Sequence, residues 1–180
     1  VNWKGYRGMN EKFFDLKKEK QDRMINASLK VFAMNGYAHA STDDIVREAG
    51  ISKGLLFHYF VSKLGLYSFI YDYSIRYVIL ELTTGVDKEE TDYFRLVGQI
   101  REAELQVMRN YPCMMLFLNN SRLENVSEVL LETEDKRNIL SEKYAQILSQ
   151  ATGEELDERL SREQLSEMIR FTTEGLMRRH

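Results

Sequence analysis

Ser41-Thr-Asp-Asp-Ile-Val-Arg-Glu-Ala-Gly-Ile-Ser-Lys-Gly-Leu-Leu-Phe-His-Tyr-Phe-Val-Ser-Lys63 is the stretch that decides the fold. It holds two short helical patterns joined by a turn tight enough to define a helix-turn-helix. Ser41 and Thr42 offer an N-cap, and Asp43 and Asp44 fall in the first turn, where the helix dipole favours carboxylates. Gly50 stands at the turn, where a residue tolerant of positive φ is needed. Ser52 caps the second pattern, which extends to about Phe60. Ile45, Ala49, Ile51, Leu56 and Tyr59 are spaced about the glycine so that both helices face inward with apolar residues. The second helix opens with Ser52-Lys53-Gly54, a small and basic start suited to lying against a nucleic-acid backbone.

Outward from this stretch the pattern stays helical. A first helix is predicted from about Lys18 to Asn35, with Ile25, Leu29, Phe32 and Ala33 on one face and Asn35-Gly36 as its stop. A fourth begins at Ser62 and runs to about Leu82, and residues 83–91 read as a linker. A fifth covers about Thr91 to Asn110 and stops before Pro112, which suits the first turn of the next. That sixth helix contains Cys113-Met-Met-Leu-Phe-Leu118, apolar all round and therefore expected to be buried. A seventh is predicted over Val126–Ala151, with Leu130, Leu140, Tyr144, Ile147 and Leu148 along its apolar side. Ser161-Arg-Glu-Gln164 is a capping box that starts a last helix carrying Leu165, Met168, Ile169 and Leu176. No strand-like alternation appears, and the chain reads as all-α.

Charge is divided unevenly along the 180 residues. The net charge is −3, but residues 1–65 carry +4 and residues 66–180 carry −7. Nucleic-acid affinity follows local positive potential rather than whole-chain charge, so the division fits a basic head on an acidic body. Cys113 is the single cysteine, which excludes an internal disulfide and favours a reducing compartment. No run approaches a membrane span, no secretory leader is visible, and a cytoplasmic location is expected. Residues 1–8 stay open between two readings: an added leader before a natural start at Met9, or an arm touching DNA through Lys4 and Arg7.

The run Phe32-x-x-x-Gly36-Tyr37, then Ser41-Thr42-x-x-Ile45-Val46-x-x-Ala49-Gly50-Ile51-Ser52-Lys53-Gly54, then Phe57-His58-Tyr59-Phe60-x-Ser62-Lys63-x-x-Leu66, closely resembles the N-terminal domain of TetR-family (tetracycline-repressor-like) regulators. The resemblance covers about residues 18–70. It implies an N-terminal three-helix helix-turn-helix DNA-binding domain plus a C-terminal helical ligand-binding and dimerisation domain. The corresponding division is residues 1–17 as an extension, 18–66 as the DNA-binding head and 67–180 as the effector body. By position, the resemblance assigns phosphate contacts to Thr42, to Phe57 or Tyr59, and to Lys63. It brings Lys53, Gly54, Leu55 and His58 towards base edges, with Ser52 at the helix start. Gly54 lets backbone come close, and Leu55 offers apolar contact to a thymine methyl. The chain departs from the family after Lys63, where Leu64-Gly65 stands in place of a frequent acidic pair.

The implied partners are a double-stranded DNA operator of palindromic form, a small-molecule effector and a second copy of the chain, with no membrane. Repression is the family's usual mode. For the effector, Tyr73, Tyr77, Glu104, Met108, Met114, Phe117 and Tyr144 are the candidate pocket residues, with Tyr93, Tyr111 and Met115 on the same helices. Methionine among aromatics suits a lipophilic or planar ligand, and equally a plain core. Glu104 is open between meeting a cationic ligand and joining an ion pair. Tyr73 and Tyr77 are assigned a relay to the head by fold analogy. Family dimers pair their last two long helices; here one is available, with Thr172, Thr173 and Gly175 allowing close approach. The end at Arg178-Arg-His180 reads as a truncation. The three histidines and Cys113 have no metal-ligand spacing, and no nucleophile motif or phosphate-binding glycine loop is present, so neither enzyme, cofactor nor metal is expected. The alternative from another class is a helical protein–protein adaptor that keeps the helix-turn-helix only as a packing unit.

Overall fold

A computed structural model describes residues 11–152, together with Gln164 and Glu167. Among the described residues there is no strand. The first helix, α1, runs Lys18–His39, longer than predicted, but it is broken at Gly36 (φ 66°, ψ 176°). Only glycine occupies that backbone region readily, so the predicted stop is real and a last helical turn resumes beyond it.

The decisive stretch folds as α2 (Thr42–Ala49) and α3 (Lys53–Phe60). Ser41 Oγ accepts the Asp43 N–H and Ser52 Oγ accepts the Leu55 N–H, so each helix start is satisfied by its own serine. Gly50 adopts the left-handed conformation (φ 63°, ψ 44°) between them. Ile45, Ala49, Leu56, Tyr59 and Phe60 are buried, while Ile51 is only partly covered.

Helix α4 (Lys63–Gly85) starts with Ser62 Oγ accepting the Gly65 N–H, so the Leu64-Gly65 departure is anchored by the serine cap. Every residue from Leu66 to Ile75 is buried, including Ser68, Asp72 and Ser74. Helices α5 (Tyr93–Asn110) and α6 (Met114–Ser121) follow, with Asp92 Oδ1 capping α5 at Arg95 N. Pro112 lies just outside α6, ahead of its Cys113 cap. Met114, Phe117 and Leu118 are buried, but Leu116 is 40% exposed. The expected all-round burial of α6 fails because the helix packs on α1, α4 and α5 and leaves one side open.

The single helix expected over Val126–Ala151 is two: α7 (Ser127–Thr133) and α8 (Ile139–Leu148), joined through a 3-10 turn at Glu134–Lys136. Val129 and Thr133 fill the inward positions of α7, and the next inward positions are Lys136 and Arg137. Continuing the helix straight would drive a charge into the core, so the chain turns and resumes inward packing at Leu140 and Ile147. The division drawn at 66/67 falls inside α4, which packs on head helices α1 and α3 and on body helices α5 to α8. The last helix and its small residues, and Lys4 and Arg7, lie outside the described residues; Gln164 and Glu167 are helical and exposed.

The expected extension is in part a head element, because a 3-10 turn at Glu11–Asp15 inserts Phe13 into the head. Its ring is fully buried and meets Tyr59, Phe60 and Phe69 at 5.7, 5.1 and 5.4 Å. Removing so large a buried ring leaves a cavity that rigid helices fill poorly. Phe13→Ala is expected to lower unfolding stability by about 3 kcal/mol in urea titration; an unchanged midpoint would detach residues 11–17 from the head.

Candidate nucleic-acid interface

Helix α3 presents its N-terminus to solvent. Ser52, Lys53 and Gly54 are exposed, as is His58 one turn further on. Lys53 Nζ lies 2.9 and 3.0 Å from the two carboxylate oxygens of Asp43 in the first turn of α2. Both side chains of this pair are more than half exposed, so the pair contributes little to stability and opens readily. A phosphate can therefore take the place of Asp43. The sequence shows Asp43 only as a dipole partner of its own helix; its second role depends on the α2–α3 angle, which no local pattern supplies.

A Cβ placed on Gly54 meets nothing within 4 Å, and its φ is ordinary. The fold therefore does not need glycine there. Inside a helix glycine is less stable than alanine by about 0.5–1 kcal/mol, so packing among the described residues does not account for the missing side chain. Thr42 is half-buried at the start of α2, where the first N–H groups have no intrahelical acceptor. Leu55 and Phe57 are each partly covered, and Leu55 packs against the core, so only part of its apolar surface faces out. Tyr59 is 7% exposed, with its ring against Phe13 and edge-on to His58. Its ring is a core element.

Lys63 is placed by the head's own turn. Its Nζ sits 4.5 Å above the Tyr37 ring and 3.4 Å from the Ala38 carbonyl oxygen. Between α3 and Lys63 lies Val61, 72% exposed with φ 54° and ψ −46°, a conformation strained for a β-branched residue. The strain sits at the exit of the exposed helix, where it aims Ser62 to cap α4 and Lys63 to stack on Tyr37. Neither Val61 nor Tyr37 carries a sequence signal for these roles.

By their hydrogen bonds and ring contacts, the seven candidate effector residues fall into separate groups. Tyr73 and Tyr77 stack, and both meet Tyr111 edge-on. Tyr73 and Tyr111 hydroxyls are 2.7 Å apart, Tyr111 donates to Asp22 Oδ1 at 2.8 Å, and Lys18 Nζ donates to the Tyr111 oxygen. This chain runs from the body to α1 of the head. Elsewhere Glu104 accepts from Tyr144 at 2.8 Å through one oxygen and pairs with Arg101 at 2.6 Å through the other. Glu104 is thus engaged in an ion pair in this structure. Phe117 packs on Phe32, Tyr67 and Tyr71, Met114 is fully buried and Met108 half-buried. A shallow groove between α4 and α8, lined by Leu82, Val86, Lys143 and Ile147 among others, contains none of the seven. Among the described residues no cluster of His, Cys, Asp and Glu is arranged to hold a metal.

Burial raises the phenol pKa of Tyr73, Tyr111 and Tyr144, reinforced by hydrogen bonding at Tyr73 and by the Glu104 carboxylate at Tyr144. The unfolded chain ionises first, near the ordinary value of about 10. Stability carried by these phenols is thus complete below that pH and is lost above it. In an alkaline titration, tyrosinate absorbance from these rings should appear together with loss of helical circular dichroism; ionisation well before unfolding would contradict their burial.

The sequence profile of the family described as "Bacterial regulatory proteins, tetR family" matches residues 24–68. Over 93 residues the chain is 38% identical to "Uncharacterized HTH-type transcriptional regulator YuxN" of Bacillus subtilis (strain 168), covering 49% of this chain and 32% of that protein. The chain spans about a third of the length of that curated relative. Two solved structures share the fold. A TetR family transcriptional regulator from Chloroflexus aurantiacus J-10-FL matches 71% of this chain and 60% of its own, at 24% identity and a TM-score of 0.54. The TetR family transcriptional regulator PfmR from Thermus thermophilus matches 77% of this chain and 75% of its own, at 21% identity and a TM-score of 0.54. Residues 24–68 thus carry the helix-turn-helix of the TetR family in sequence, and the described helices follow the fold of these two TetR family regulators.

Proposed function

We propose that the chain acts in the cytoplasm as a ligand-responsive repressor, binding a palindromic operator as a homodimer and released by a small lipophilic or planar effector. The observation that carries the DNA half of this reading is the exposed Ser52-Lys53-Gly54 start of α3, whose glycine the fold does not require. Lys53 and His58 face solvent where base edges would lie, and Thr42 and Lys63 would flank them on phosphates. A dimer follows from the palindrome: two heads reading successive major grooves stand about 34 Å apart. The effector half rests on the methionine and aromatic content of the body and on the family resemblance. At the Tyr73, Tyr77 and Tyr111 group a ligand would have to separate packed rings to enter.

Enrichment from a random-sequence DNA duplex pool tests the reading. The protein should enrich a palindrome, with affinity falling steeply as salt rises. Lys63→Ala should weaken all sequences alike and lower the salt slope by about one. Lys53→Ala and Gly54→Ala should cost about 1–3 kcal/mol and relax discrimination at one position, while Gly54→Ala leaves the free protein as stable or slightly more so. An adaptor would enrich no duplex, and its DNA retention would ignore all three changes.

A further inference from the structure

The break in α1 separates a donor from its acceptor, and the body supplies both missing partners. In an unbroken helix the Tyr37 N–H would bond to the Ala33 carbonyl four residues back. The extended ψ of Gly36 turns that N–H away, onto Glu124 Oε2 at 2.9 Å. The Ala33 carbonyl oxygen in turn accepts from Asn120 Nδ2 at 2.8 Å. Asn120 is on α6 and Glu124 follows it, so one surface of the body closes both halves of a hydrogen bond that the head has opened. Glu124 is itself fixed, because its other oxygen accepts the N–H groups of Asn125 and Val126 at 3.1 and 3.2 Å. A carboxylate shared among three backbone donors is a strong acceptor with a defined direction. Gly36 is there for its backbone angle rather than for room, since a Cβ would still lie 3.7 Å from Glu124.

What the pair holds is the platform under a DNA contact. Tyr37 carries Lys63 on its ring, has Glu128 of α7 beside its hydroxyl, and packs edge-on against Tyr67 of α4. We propose that Asn120 and Glu124 are positioning residues for DNA recognition: through the Gly36 break they fix the angle of the head on the body, and through Tyr37 they fix where Lys63 meets phosphate. This inference rests on the DNA-binding reading above. A state of the body that shifts the end of α6 would withdraw both partners together, leaving the last turn of α1 free to swing.

The test uses the full chain and the duplex enriched by the wild type, with a second duplex carrying about two extra base pairs between half-sites, roughly a fifth of a turn. A head held at a fixed angle should distinguish the two strongly. Glu124→Ala should cut that spacing preference about tenfold and speed hydrogen exchange of the Tyr37 amide. Glu124→Gln, which keeps an acceptor oxygen for Tyr37, should restore the preference. Asn120→Ala, which disturbs no carboxylate, guards against a folding defect and should act in the same direction. The proposal is overturned if Glu124→Ala weakens both duplexes equally or leaves the preference at the wild-type value. If the wild type enriches no duplex, the DNA reading fails, while Tyr37 exchange still reports whether the latch exists.

Discussion

The buried passage of α4 is the constraint on which the rest of the molecule depends. Ten consecutive residues from Leu66 to Ile75 are shielded on every side, which requires neighbours all round the helix. Head helices cover one end and body helices the remainder, so the two parts share a core rather than meeting across a linker. The shared aromatic packing makes this concrete. Phe13, Phe60 and Phe69 form one group at the head end, and Phe32, Tyr67 and Phe117 join α1, α4 and α6 in the next. Movement of the body on such a core repacks rings in the head, because close-packed side chains have discrete arrangements rather than a continuum.

Legibility follows the range of the interactions. Ser41, Ser52 and Ser62 act within three residues of themselves, and Gly50 acts on its own backbone, so each can be read from the letters. The family resemblance extends that reading across the head. Phe13 cannot be placed this way, because its partners lie more than forty residues away and a lone Phe-Phe pair before a helix has no periodicity. Glu124 is invisible for the same reason: its acceptor role needs the α1–α6 contact, 87 residues apart in the chain. The α7–α8 break is latent in the charged run from Glu134 to Arg137. Apolar periodicity on either side outweighs it and suggests a single helix.

Composition alone does not separate a packed core from a ligand site. Met and aromatic residues at helical spacing satisfy a core and a ligand site equally well. Here the rings of Tyr73, Tyr77 and Tyr111 fill one another's space, and Glu104 is occupied by Arg101 and Tyr144. A hydroxyl chain does run from Tyr73 through Tyr111 to Asp22 and Lys18, and its central member, Tyr111, is not among the seven.

If the exposed start of α3 meets DNA as proposed, the ion pair between Lys53 and Asp43 is an internal stand-in for phosphate. A free lysine that neutralises a phosphate would release a cation condensed on the duplex, adding to the entropy gained. This one already holds a tethered carboxylate, so docking would exchange one anion for another and release fewer cations than the count of lysines suggests. The displaced Asp43 is then left beside a polyanion and must find another partner. Contact that satisfied both residues would therefore be favoured over contact that satisfied the lysine alone, a penalty against settling on any backbone that merely offers charge.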